Sequence, residues 1–183
     1  GTLVEVEPGT IVERGCSRYY NVTMFGHRIL SQPDAVAERL HRHLCEILTA
    51  RPDVCFILGC KGQFDEIAIR EVHRAAQTTG RRPAKIVLAL PYRIPEYRSN
   101  PRAFAAQYDC VWLAGGDYHT AYERRTQTML DHANYAIFAV DHPSGGAYTA
   151  MWYADAHRVP YVNLLDGASV TPQPVDIDAA VAD

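Results

Sequence analysis

The chain has 183 residues, of which 48% are hydrophobic and 21% are charged. This length and composition are typical of one globular domain with a substantial core, and they exclude a disordered chain. The formal net charge of −3 argues against nucleic acid as a partner, because nucleic-acid binders are usually basic. No apolar run reaches the ~20 residues of a membrane span, and no secretory signal pattern is present, so we expect no membrane association.

The cysteines and histidines predict a reducing compartment and no metal site. The five cysteines include no C-x-x-C pair, and Cys45, Cys55 and Cys110 lie in apolar runs where a reduced thiol packs as a small hydrophobe. We therefore expect free thiols and a cytoplasmic protein. The eight histidines show no H-x-x-x-H or H-E-x-x-H pattern, and His41 and His43 are too close in sequence to share a helix face. We predict neither a metal nor a cofactor.

The predicted elements begin after an extension at residues 1–19, which contains Pro8, Gly9 and Gly15 and no clear periodicity. A short strand at 20–25 is followed by a helix that starts near Pro33, where apolar residues recur at helical spacing up to Leu48. The later elements are a strand at 54–58, a helix at 64–78, a strand at 85–90, a long loop at 91–107, a strand at 110–113, a helix at 120–132, a strand at 135–140, a helix at 147–156 and a strand at 159–165.

Strands that alternate with helices, each strand being a nearly continuous apolar run, are typical of a parallel sheet covered on both faces. We therefore predict an α/β fold, a Rossmann-like three-layer sandwich with a mainly parallel central sheet. It forms a single domain at 20–166, followed by a C-terminal tail at 167–183. In such a sheet, ligands bind in the crevice beyond the carboxyl ends of the strands.

Two loops between a strand and a helix contain glycines that suit anion binding. The first, Gly59-Cys60-Lys61-Gly62, lets the backbone approach a ligand and leads to a helix N-terminus with free N–H groups. Asp65 is either a cap of that helix or an acceptor for ribose hydroxyls. The second loop is Ser144-Gly145-Gly146, where the Ser144 hydroxyl and two backbone N–H groups could bind phosphate. A strand-to-helix turn needs glycine in any case, so a purely structural role stays open for both.

Three further features could contribute to the same crevice. The Arg125 guanidinium matches the geometry of phosphate or carboxylate, although a solvated helix face is the commoner position of such a residue. Gly26-His27-Arg28, after the first strand, carries the same two alternatives. The tyrosines and arginines of residues 92–108 could stack on a base or hold a proline-rich structural loop.

With these loops placed, residues 22–165 resemble the SLOG superfamily, which joins lonely-guy phosphoribohydrolases to the DNA-processing protein of competence. Arg125-Thr126-Gln127-Thr128-Met129 and Pro143-Ser144-Gly145-Gly146 are similar to the lonely-guy patterns R-K-x-x-M and P-G-G-x-G-T-x-x-E. Gly59 to Asp65 is similar to the first glycine loop of the superfamily, and Gly26-His27-Arg28 to a small bacterial branch with no settled activity. The motif's lysine is replaced by Thr126, and its catalytic glutamate has no counterpart after Gly146.

These observations support three hypotheses of function. The first is a sensor or binding domain for a nucleotide-derived, phosphate-bearing ligand, such as a nucleoside monophosphate or an ADP-ribose-like compound. The second is a nucleotide N-glycosidase, of the phosphoribohydrolase or deoxyribosyltransferase type, which needs a carboxylate from elsewhere in the chain. DNA binding ranks last because of the acidic net charge. A homo-oligomer could use Met151, Trp152 and Tyr153, which could equally be core. The candidate carboxylates are Asp65, Glu66, Asp117, Glu123 and Asp141.

Overall fold

The structure is a computed structural model and describes residues 3–6 and 19–165. The predicted C-terminal tail and most of the predicted extension lie outside the described residues. In chain order the elements are β1 (Val4–Val6), β2 (Tyr20–Gly26), α1 (Pro33–Ala50), β3 (Val54–Leu58), α2 (Gln63–Thr79), β4 (Lys85–Leu90), α3 (Pro95–Ser99), α4 (Pro101–Ala105), β5 (Cys110–Leu113), a 3-10 turn (Tyr118–Thr120), α5 (Ala121–Asp131), β6 (Tyr135–Ala139), α6 (Gly146–Ala156) and β7 (Tyr161–Asn163).

The seven strands form one sheet in the order β1-β5-β4-β3-β2-β6-β7, and every neighbouring pair is parallel. The predicted Rossmann-like α/β fold is therefore confirmed. From β2 the chain builds the sheet in one direction as far as β5, and it then returns to the other side of β2 to form β6. The connections leaving β2 and β6 diverge to opposite faces, which opens a crevice at the carboxyl ends of these two strands.

Each face of the sheet buries its own hydrophobic cluster, which gives the three layers. On one face Leu40 of α1 and Phe64 of α2 pack with Phe56 of β3. On the other face Met151 of α6 packs with Phe138 of β6. Strands β3 and β6 are continuous apolar runs because both of their faces are covered by helices. Met151, which the sequence left open as core or oligomer interface, is fully buried.

Two predictions of local structure were wrong. Residues 4–6 form an edge strand that pairs with β5, where no element was predicted, because a three-residue strand is defined by its partner rather than by its own pattern. The 91–107 segment contains two short helices rather than a continuous loop. Pro95 and Pro101 begin these helices, at a position where the missing N–H of proline removes no hydrogen bond. A loop was predicted because these prolines lie among arginines and tyrosines.

The described cysteines are unpaired, and no described helix suits a membrane span. Cys45, Cys55, Cys60 and Cys110 are free thiols, as predicted, and Cys16 lies outside the described residues. Burial raises the pKa of the Cys55 thiol to about 12, so this side chain packs as a neutral hydrophobe. Among the described helices, none combines the length and the hydrophobicity that crossing a bilayer requires.

Candidate ligand-binding crevice

A cavity of about 840 Å³ lies at the carboxyl ends of β2, β3 and β6. Its volume falls in the range of small-molecule sites. Its walls come from the loops after these strands and from the facing sides of α5 and α6. Nine of the sequence-predicted site residues line it: Gly26, His27, Arg28, Lys61, Asp65, Glu123, Arg125, Gly145 and Gly146.

The other candidates lie around the cavity or away from it. Gly59 lies beneath the side chains of Arg125 and Asp65, and a Cβ there would be 2.9 Å from Arg125 Nη1. Ser144 and Glu66 are exposed and do not line the cavity. Asp117 accepts the backbone N–H of His119 and caps the 3-10 turn. Asp141 does not line the cavity either.

The two glycine loops present nearly the same backbone to the crevice. Gly62 precedes α2 with φ 93° and ψ 177°, and Gly145 precedes α6 with φ 91° and ψ 174°. Positive φ at both positions favours glycine. Each loop therefore turns a strand end into a helix N-terminus in the same way, and the loops differ only in what their N–H groups bind.

At the α2 loop, protein groups accept two of the backbone N–H donors. The Lys61 N–H donates to Asp65 Oδ2 at 2.8 Å, and the Gln63 N–H donates to the Arg28 carbonyl at 2.8 Å. A Cβ on Gly62 would lie 2.6 Å from the Arg28 Cα, so this glycine also permits close packing of the loop after β2. Asp65 accepts an N–H of the loop rather than one of the free N–H groups of α2, so it ties the loop to the helix without capping it. Its role as an acceptor for ribose hydroxyls stays a prediction. The α2 loop therefore packs against the loop after β2 and stabilises this wall of the crevice.

At the α6 loop, the N–H donors remain open. Within the described part of the chain, no acceptor is hydrogen-bonded to the backbone N–H of Gly145, Gly146 or Ala147, and all three residues line the cavity. Unpaired N–H groups and the dipole at a helix N-terminus favour an anion. The start of α6 therefore presents unpaired N–H donors to the crevice.

Arg125 of α5 lines the same cavity, and part of its guanidinium is unpaired. Its Nε is buried with no hydrogen-bond partner among the described residues, while Nη2 donates to Thr126 Oγ1 at 3.3 Å. Burial lowers the pKa of Arg125, and the nearby Asp65 acts in the opposite direction. Burial also raises the pKa of Asp65 to about 6, although the positive charge of Arg125 opposes that shift. A buried guanidinium with an unused donor is unfavourable unless a ligand completes its bonding.

Two histidines and an aspartate border the mouth of the cavity. The His27 ring is buried, and its Nε2 accepts the Asp141 N–H at 3.2 Å. The Asp141 carboxylate accepts the Ser31 hydroxyl at 2.8 Å and lies 2.8 Å from His142 Nδ1. Burial lowers the pKa of His27, a charge on His142 lowers it further, and Asp141 acts in the opposite direction. His27 is therefore neutral at pH 7, and the cluster fixes the loop after β6.

The same three side chains are potential metal ligands, because their donor atoms lie within 4.8 Å of one another. However, the His27 and His142 rings are stacked at 3.5 Å with only 13° between their planes. Ring-nitrogen lone pairs lie in the ring plane, so nearly parallel rings direct them side by side rather than toward one ion. We assign no ion here, and the absence of a metal site stays a prediction.

Sequence reasoning missed several side chains of the crevice. Tyr122, His142 and Tyr153 line the cavity and were not among the candidates. Tyr122 precedes Arg125 by one helical turn on α5, and the Arg125 Cζ lies 5.4 Å from its ring centroid. That spacing could have indicated Tyr122 once Arg125 was chosen. His142 depends on its contact with His27 across two loops, which no local pattern reveals.

Together, the parallel sheet and its switch point define a Rossmann-like α/β domain with a crevice at the carboxyl ends of its central strands. No protein-family model matches the chain, and no curated protein sequence does. Among solved structures, the chain is similar to DNA processing protein A from Helicobacter pylori, with a TM-score of 0.60, 13% identity, and coverage of 92% of this chain and 81% of that one.

It is also similar to DNA processing protein A from Streptococcus pneumoniae, with a TM-score of 0.59 and 16% identity over 84% of this chain. The match spans only 54% of that longer chain. At these identities the likeness shows a shared fold.

The expectation that nucleic acid is not a partner was wrong. The Helicobacter pylori protein has a single-stranded DNA binding mode and the same fold, so this architecture is compatible with nucleic acid. The error came from using net charge, which averages over the whole surface. Locally, the cavity is lined by three cationic side chains, Arg28, Lys61 and Arg125, against two carboxyl groups, Asp65 and Glu123.

Proposed function

We propose that the crevice binds the phosphate group of a nucleotide-type ligand. The observation that carries this proposal is the open N-terminus of α6 in the same cavity as the incompletely bonded Arg125. Backbone N–H groups of α6 and the Arg125 guanidinium would both donate hydrogen bonds to the phosphate oxygens. Lys61 and Arg28 would add positive charge at the rim.

Two sources could supply such a phosphate. One is a free nucleotide, either a nucleoside monophosphate or an ADP-ribose-like compound, and the protein would then act as a sensor or binding domain. The cavity volume of about 840 Å³ supports this source. The other is a nucleotide within a single strand of DNA, which the fold likeness to DNA processing protein A supports.

The test is thermal unfolding with matched pairs of compounds that differ only in phosphate. AMP is compared with adenosine, ribose 5-phosphate with ribose, and dTMP with thymidine. A ligand at about 100 times its Kd should add roughly 2.7 kcal/mol of stability, and we expect that gain only from the phosphorylated member of a pair. Equal gains from both members, or no gain from any phosphorylated compound, would contradict the proposal.

A second candidate function is hydrolysis of an N-glycosidic bond with Asp65 as the acid. The specific observation in its favour is the pKa of about 6 that burial gives this carboxyl inside the cavity, close to the range of an effective proton donor. Among the other candidate carboxylates, only Glu123 lines the cavity. Release of free adenine from AMP, abolished in Asp65→Asn, is the expected result. The absence of release in the wild type would eliminate this candidate and leave binding intact.

A further inference from the structure

Three tyrosines lie together beside the crevice, and we call them the tyrosine cluster: Tyr92, Tyr118 and Tyr122. Tyr92 follows β4, Tyr118 lies in the 3-10 turn, and Tyr122 lies in the first turn of α5. The ring centroids of Tyr92 and Tyr118 are 5.0 Å apart in a stacked arrangement, and Tyr122 meets Tyr92 edge-on at 6.0 Å. Only Tyr122 lines the cavity. The cluster therefore continues the crevice outward.

Tyr118 is exposed in a way that core packing does not explain. Its surface is 68% accessible, one of four large exposed hydrophobic side chains among the described residues. One side of its ring rests on Tyr92, which itself packs against the core. His119 meets the same ring edge-on at 6.0 Å, and the accessible part of the ring has the size and flatness that a nucleobase needs for stacking.

Cations lie at the inner end of the tyrosine cluster. Lys61 Nζ is 6.0 Å and Arg125 Cζ is 5.4 Å from the Tyr122 ring centroid, and both side chains line the cavity. Positive charge beside a cluster of aromatic rings is typical of proteins that bind single-stranded nucleic acid. The cations bind backbone phosphates, and the rings stack on bases. A mononucleotide in the cavity would leave Tyr118 unused.

We propose that the ligand is a single-stranded nucleic acid, with one nucleotide phosphate in the crevice and the base of a neighbouring nucleotide stacked on Tyr118. This inference rests on the proposed function, since it assumes that the crevice binds phosphate. It adds the ligand class and a second contact point outside the cavity.

The experiment compares the affinities of dTMP and octathymidylate, measured by calorimetry and by fluorescence anisotropy, for the wild type and three variants. Tyr118→Ala removes the ring, and Tyr118→Phe keeps it. Trp152→Ala is the matched control, because Trp152 is an exposed aromatic residue that does not line the cavity. Melting temperatures of all four proteins verify that each variant is folded.

We expect octathymidylate to bind the wild type more tightly than dTMP does. Tyr118→Ala should weaken octathymidylate binding about 5- to 100-fold and leave dTMP within about twofold of the wild type, while Tyr118→Phe and Trp152→Ala retain wild-type affinity for both. Equal affinities of dTMP and octathymidylate would overturn the inference, and so would insensitivity of octathymidylate to Tyr118→Ala. If neither ligand binds the wild type, the proposed function itself fails.

Discussion

Two buried charged sites of this molecule differ in whether the protein satisfies them. Between α1 and α2, the Glu71 side chain has no exposed surface, and its carboxylate accepts hydrogen bonds from Arg74 at 2.7 and 2.9 Å. Arg70 Nε adds a third at 3.1 Å, and His41 Nδ1 lies 3.3 Å away without forming a hydrogen bond. All of these partners are in the two helices that Glu71 joins.

In the crevice, by contrast, Arg125 has a buried donor without a partner, and the ionised form of Asp65 is disfavoured by burial. The difference teaches how to separate two uses of buried charge. A completely paired charge such as Glu71 needs nothing more and serves the fold, whereas an incompletely paired charge beside an open cavity leaves bonding capacity for a ligand.

The largest effect on stability is expected at the satisfied site. Glu71→Ala should lower the free energy of unfolding by about 2–4 kcal/mol, because it removes the buried carboxylate that accepts the hydrogen bonds of Arg70 and Arg74. Phosphate-ligand affinity should stay within about twofold of the wild type. Urea denaturation measures the first quantity and calorimetry the second. A stability equal to that of the wild type would mean that Glu71 does not anchor α1 to α2.

Gly62→Ala tests the claim that the α2 loop is structural. With φ at 93° and a new Cβ 2.6 Å from the Arg28 Cα, the substitution should cost about 1–3 kcal/mol of stability. Gly80→Ala is the matched control, since φ there is also positive, at 68°, but nothing lies within 4 Å of the added Cβ. It should cost only about 1 kcal/mol, from strain alone. Equal losses would show that the contact with Arg28 is unimportant.

Asp65→Asn should stabilise the protein at pH 7 by about 1–2 kcal/mol, because it removes a charge whose ionisation in the folded state is unfavourable. The folded-state pKa of about 6 is above the ordinary value of 3.8. The wild type therefore has the contribution of the neutral carboxyl at low pH and loses it as pH rises through 6. Urea denaturation between pH 4 and pH 8 should show this decline, and the variant should lack it. An unchanged pH profile would contradict the burial of this carboxylate.

Features that depend on a short stretch of sequence were predicted, and features that depend on distant partners were missed. The strands at 54–58, 85–90 and 110–113 were predicted with their observed bounds, because a strand buried on both faces is recognisable from its own composition. β1 was missed, since its conformation depends on pairing with β5. Boundary positions such as the end of β7 also differ, because Val162 and its neighbours are only half-buried there.

The same distinction applies to the crevice. Glycine loops after strands are local signals, so Gly62 and Gly145 were both found. The Gln63 N–H of the α2 loop donates to the Arg28 carbonyl, which comes from a different strand end, and the α6 loop has no such acceptor among the described residues. Sequence reasoning could not separate the two loops for that reason. The positions of Tyr118 and His142 likewise follow from packing between loops.

The most direct test of the central claim is a calorimetric titration of AMP into the wild type, Arg125→Ala and Arg124→Ala. The two arginines are adjacent on α5, but Arg124 is exposed, packs over Gly116 and does not line the cavity. Loss of a charged hydrogen-bond donor to phosphate costs about 1.5–3 kcal/mol. We therefore expect Arg125→Ala to weaken AMP binding about 10- to 100-fold and Arg124→Ala to change it less than about twofold. Equal losses in the two variants, or no loss in Arg125→Ala, would contradict the assignment of the crevice as a phosphate site.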